Sequence, residues 1–91
     1  MKLINRTILM TGGTSGISFA FAKRFLEMGN TVIITGRSQE RIDQAVKNNP
    51  GLIGLVANVS DPSSVEQLAK ELAIYHPKLD IIFNNAGNLH E

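Results

Sequence analysis

The segment Thr11-Gly12-Gly13-Thr14-Ser15-Gly16-Ile17-Ser18 holds the residue types whose spacing speaks most directly of chemistry. It leaves an apolar run, Thr7-Ile8-Leu9-Met10-Thr11, and enters a stretch of helical periodicity, which makes it a glycine-rich turn between a strand and a helix. In that context Gly12 can take the backbone angles of a tight turn. Gly16 lacks the Cβ that would collide with an approaching diphosphate. Thr14, Ser15 and Ile17 complete the candidate phosphate-binding set. Open N–H groups at the start of the following helix would supply donors, and the helix dipole adds about 0.3–1 kcal/mol for an anion. The alternative is a glycine-rich turn that carries no ligand. A kinase-type phosphate loop is excluded, because it would end Gly-Lys-Ser/Thr and here Gly16 is followed by Ile17.

A second clue lies in Thr35-Gly36-Arg37-Ser38. If a dinucleotide occupied the first turn, its adenosine ribose would lie at the end of the second strand. A carboxylate there would hold a 2′-hydroxyl, as in NAD binders, but no acid occurs before Glu40. Arg37 offers a planar cationic fork suited to phosphate, and Ser38 adds a hydroxyl. The pair therefore favours a 2′-phosphate, which is NADP over NAD, with NAD still open. The alternative for Arg37 is a solvated surface charge. No metal site is expected: there is no cysteine, and His76 and His90 have no ligand-spaced partners.

The elements that must position these residues follow a simple rhythm. Apolar runs predict a strand covered on both faces at Thr7–Thr11, a second buried strand at Thr31–Thr35, a weaker one at Leu52–Val56 and a fourth at Asp80–Asn84. Between them lie three amphipathic stretches. The first starts at Ile17, with Ile17, Ala20, Phe21, Phe25 and Met28 on one side, and closes at Gly29-Asn30. The second is capped by Ser38, carries Ile42, Ala45 and Val46 inward, and ends at Asn48-Asn49-Pro50-Gly51. The third opens with Asp61-Pro62, carries Val65, Leu68, Ala69 and Leu72, and stops before Pro77. The reading is β-α-β-α-β-α-β: an α/β, three-layer, Rossmann-type parallel sheet, partial in extent, with strand order 3-2-1-4. That order reverses between the first and fourth strands, the switch point where open α/β sheets hold ligands.

Composition sets outer bounds. The chain has 91 residues, 43% hydrophobic, with 9 basic against 8 acidic side chains, which suits one small domain over 1–91. The near-neutral balance argues against a nucleic-acid partner held by bulk charge and against an electrostatic membrane binder. No apolar run approaches the roughly 18–20 residues of a membrane helix, and Met1-Lys2-Leu3-Ile4-Asn5-Arg6 does not read as a signal peptide. The expectation is a cytoplasmic protein.

Four motifs together, Thr11-Gly12-x-x-x-Gly16-Ile17, Thr35-Gly36-Arg37, Asn58-Val59-Ser60-Asp61 and Asn84-Asn85-Ala86-Gly87, resemble the classical short-chain dehydrogenase/reductase family across essentially the whole chain. Within it, Glu27 to Arg37 and Tyr75 to Asp80 look most like the oxidoreductases encoded with bacterial D-alanylation genes. The resemblance implies that Asn58, where the family usually has Asp, accepts from the adenine amino group, and that Val59 packs on the adenine ring. It also implies that Asn85, Ala86 and Gly87 bring backbone close to the cofactor. Ser18 departs from the family's third loop glycine, which implies weakened rather than abolished binding.

The family's catalytic serine, and its tyrosine four residues before a lysine, lie beyond the Asn-Asn-Ala-Gly segment. The one tyrosine here is Tyr75, four before Leu79 and followed by helix-breaking Pro77, so no catalytic residue is expected in these 91. The chain reads as a truncated NAD(P)-binding domain of an oxidoreductase whose small-molecule substrate would be met only in a longer form. The alternative is a non-enzymatic dinucleotide-binding module, or one that forms a homo-oligomer through the bare edge of the fourth strand.

Overall fold

The apolar runs Ile8–Met10 and Val32–Ile34 must be covered on both faces, and this requirement organises the molecule. The computed structural model describes residues 4–12 and 16–84. Strands β1 (Thr7–Thr11), β2 (Thr31–Gly36), β3 (Ile53–Val56) and β4 (Ile81–Asn84) alternate with helices α1 (Gly16–Glu27), α2 (Gln39–Asn48) and α3 (Pro62–Tyr75). All pairings are parallel and the order is β3-β2-β1-β4, as the crossover argument predicts. Element ends differ from the sequence expectation by a residue: α1 starts at Gly16, β2 runs to Gly36, β3 starts at Ile53 and β4 at Ile81.

Alternation along the strands divides the core in two. Ile8 and Met10 of β1, with Val32 and Ile34 of β2, pack against Ala22 of α1 and against Ile42 and Ala45 of α2. Leu9 and Ile33 point the other way and meet Leu68 and Leu72 of α3. The three layers are thus α1 and α2, the sheet, and α3. Both predicted caps are present. The Ser38 hydroxyl accepts from the Arg41 N–H at 3.3 Å, and the Asp61 carboxylate from the Ser63 N–H at 3.1 Å, with Pro62 at the first helical position.

Two helical stripes are corrected. The side of α1 expected to face the core includes Ile17, 75% exposed, and Phe21, 53% exposed. The residues that pack inward are Ala22, Phe19, Phe25 and Leu26. Periodicity alone could not choose, because α1 is apolar over more than half its circumference and the sheet contacts only part of it. Similarly, Leu68 and Leu72 of α3 are buried while Val65 and Ala69 are exposed.

The N-terminal ends of the strands are held by buried or shared polar groups. Asn30 is buried, donates its amide to the Phe25 carbonyl at 2.8 Å and accepts from the Arg6 N–H at 3.1 Å, joining the end of α1 to the start of β1. The Asp80 carboxylate accepts from the Thr7 N–H and pairs with Arg6 at 3.6 Å, so its contacts are to a strand 73 residues away and not to a local turn.

Gly54 sets the spacing between α2 and the sheet. A Cβ built there would lie 2.5 Å from Cγ2 of Ile42 and 2.9 Å from Cγ2 of Val46. Both methyls belong to β-branched side chains that cannot swing aside freely. Gly54→Ala is therefore expected to destabilise the chain by about 1–3 kcal/mol through overpacking. The check is the midpoint of urea unfolding, and an unchanged midpoint would contradict this account of the contact.

Candidate functional site

In a parallel sheet all C-terminal strand ends emerge on one side. Here that edge gathers Gly12 after β1, Arg37 and Ser38 after β2, Asn58 and Val59 after β3, and Asn84 at the end of β4. The separate sequence motifs thus meet along one edge. β1 lies between β2 and β4, so the turn that follows it opens at the point where strand order reverses.

That turn is tied to both neighbours. The Gly12 N–H donates to the Thr35 hydroxyl at 3.3 Å, and the Thr11 hydroxyl donates to the Asn84 side-chain oxygen at 2.9 Å. Thr11 and Thr35 are buried, Thr35 almost completely. Sequence reasoning quoted these threonines within motifs but assigned them no task. The available signal was a hydroxyl residue closing an otherwise apolar strand, twice. Gly12 and Gly16 both have positive φ, +70° and +56°, a region L side chains rarely adopt. A Cβ at Gly16 would meet none of the described atoms within 4 Å. The positive φ of these two glycines and that clearance fit a diphosphate on the helix N-terminus. Ile17 is exposed beside it, and Ser18 is half-buried. Gly13, Thr14 and Ser15, and likewise Asn85, Ala86 and Gly87, lie outside the described residues.

At the end of β2, Arg37 is exposed and Ser38 is partly buried. The Ser38 oxygen accepts from the helix, which leaves its O–H able to donate outward. The Ala57 N–H donates to the Gly36 carbonyl at 2.9 Å, which brings the β3 exit alongside the β2 exit. Asn58 is fixed on two sides. Its N–H donates to the Ser64 hydroxyl at 2.8 Å, and its side-chain oxygen accepts from the Ser60 N–H at 3.0 Å. An amide oxygen has two lone pairs, so one acceptor position remains. Val59 contributes to a largely apolar groove of about 450 Å³ between α3 and the sheet, together with Leu9, Thr11, Val65, Leu68 and Asn84.

Tyr75 ends α3 and is 70% exposed, and the adjoining His76 caps the helix. The one tyrosine is thus remote from the gathered edge. Among the described residues no group of His, Asp and Glu could hold a metal ion, and no helix is long and apolar enough to cross a membrane.

Comparison with known proteins agrees with this geometry. The short chain dehydrogenase family profile matches residues 6–91. The chain is 42% identical over 87 residues to an uncharacterized oxidoreductase, DltE, of Bacillus subtilis (strain 168), covering 96% of this chain and 34% of that protein. A solved short chain dehydrogenase/reductase family protein superposes with a TM-score of 0.83 at 40% identity, covering 96% of this chain and 36% of the other. A short chain dehydrogenase of Shigella flexneri 2a, solved in complex with NADP, gives a TM-score of 0.83 at 29% identity, covering 93% and 39%. The chain therefore spans about a third of the length of the relatives it matches. With the profile running almost end to end over a sheet of order β3-β2-β1-β4, this chain belongs to the short-chain dehydrogenase/reductase family.

Proposed function

We propose that this chain is the NADP(H)-binding portion of a cytoplasmic short-chain oxidoreductase and that residues 1–91 bind the dinucleotide without turning it over. When bound, the nicotinamide supplies or receives the hydride exchanged with a carbonyl or alcohol carbon. The observation that carries the reading is the opened start of α1, where Gly12 and Gly16 hold positive φ beside the reversal of strand order. Gly12, Thr14, Ser15, Gly16 and Ile17 receive the diphosphate, with α1 N–H groups as donors. Arg37 and Ser38 take the 2′-phosphate. Asn58 accepts from the adenine amino group through its remaining lone pair, and Val59 offers the ring an apolar surface. Asn85, Ala86 and Gly87, next in sequence after β4, belong to the proposed binding set. NADP in the related Shigella structure supports the choice of cofactor. Tyr75 has neither the Lys partner nor the position for proton relay, which supports binding without turnover.

A second reading, self-association, is favoured by the edge. Among the described residues β4 lies at the sheet edge with Ile82 62% exposed, and Phe83 stacks on Phe25 at 5.3 Å, with Phe25 stacking in turn on exposed Phe21. Such an edge pairs readily with another strand.

Four measurements test these readings. Titration of the chain with NADPH is expected to show micromolar binding and no oxidation with carbonyl substrates, and absence of binding would sink the first reading. Gly16→Val should weaken NADPH and NADH alike, by about tenfold or more, because its side chain enters the diphosphate space. Arg37→Ala should weaken NADPH about tenfold and leave NADH unchanged; equal affinities before and after the change would refute the 2′-phosphate assignment. For the second reading, light scattering should give a dimer or larger species that Ile82→Lys converts to monomer, and a monomeric parent chain rules it out.

A further inference from the structure

Asn58, half-buried at the exit of β3, has most of its polar atoms engaged by the turn that leads into α3. Its N–H donates to the Ser64 hydroxyl at 2.8 Å, and its carbonyl accepts from the Asp61 N–H at 3.0 Å. Its side-chain oxygen accepts from the Ser60 N–H at 3.0 Å. That last bond, reaching two residues along the chain, is one that asparagine and aspartate side chains make equally well. The residue is thus fixed from three directions. Among the described residues, the one polar atom of Asn58 without a partner is the side-chain nitrogen. It brings two N–H donors, and the oxygen beside it keeps one lone pair. At this position the short-chain dehydrogenase/reductase family usually has aspartate, which offers acceptors alone. Here a donor and an acceptor stand side by side on one rigidly held group.

We infer that Asn58 opens the base subsite to purines carrying either a 6-amino or a 6-oxo group, so that the hypoxanthine form of the dinucleotide binds alongside the adenine form. The inference rests on the dinucleotide-binding reading given above and adds which bases that site takes. An adenine amino group is a donor, and it is met by the remaining lone pair of the Asn58 oxygen. The oxo group of hypoxanthine is an acceptor, and it is met by the Asn58 amino group. An aspartate would set acceptor against acceptor there and leave the oxo group unpaired. A site built on one kind of hydrogen bond rejects the analogue that cannot make it. Asparagine in place of aspartate removes that ground for rejection while keeping the turn that holds the residue.

The test is fluorescence titration of the 91-residue chain and its Asn58→Asp and Asn58→Ala variants, with circular dichroism recording the fold. The probes are NADPH and its deamino counterpart, in which hypoxanthine replaces adenine. The parent chain should bind the two within about threefold of each other. Asn58→Asp keeps the acceptor for the Ser60 N–H, so the turn persists, and it should lower the affinity for the deamino form relative to NADPH by about tenfold or more. Asn58→Ala should weaken both probes alike; if it does not fold, the parent and the aspartate variant still decide. A parent chain that prefers NADPH by about tenfold or more overturns the inference while the dinucleotide reading stands. An aspartate variant with the same ratio of affinities as the parent also overturns it, since Asn58 then does not face the base. Failure of the parent chain to bind NADPH removes both readings together.

Discussion

The position of β1 between two parallel neighbours is the constraint on which the other features depend. Its inward pairing with β2 and its outward pairing with β4 fix the C-terminal edge from both sides. Two hydroxyls then secure that edge: Thr35 receives the Gly12 N–H, and Thr11 reaches Asn84. A buried hydroxyl without a partner would cost about 1–3 kcal/mol, so these groups are satisfied only when the three strand ends are correctly aligned. Alignment of the strands and placement of the glycine turn are consequently one event.

Much of this was legible from the residues. Four apolar runs separated by helical periodicity lead to a parallel sheet, and the right-handed crossover rule leaves few orders, of which 3-2-1-4 is the one found. Ser38 and Asp61-Pro62 declared two helix starts in their own chemistry. The inward stripe of α1 was not legible, because Ile17 and Phe21 are as apolar as Phe25 and Leu26 and only the tertiary contact decides between them. Nor was the tie from Asp80 legible, whose carboxylate acts across the chain on Thr7. Long-range polar ties of this kind leave no periodic trace. Gly54 was equally silent: within a short strand a glycine looks like a weakness, and its purpose appears only once Ile42 and Val46 are seen above it.

Within the candidate site the same division holds. Glycine spacing and Arg37 announced themselves, since each carries a chemical requirement that few other residues meet. The supporting residues did not. Thr35, Ser64 and Asn84 act by fixing the atoms around them, and ordinary residue types in ordinary positions do not reveal such tasks. The exits of β2 and β3 are also joined through Gly36 and Ala57, so the ribose and adenine ends of the proposed cradle share a single backbone link. A change at either exit is felt at the other.

The central placement of β1 has a consequence for how the chain is assembled. The first strand made is the one that borders two others, and its partners begin at Thr31 and Ile81. During synthesis β1 can join β2 early, but its second border stays open until Ile81–Asn84 has emerged. Contacts this distant in sequence slow folding and prolong the exposure of apolar strand surface. Until β4 arrives, Ile8, Leu9 and Met10 of β1 lack their neighbour along that border.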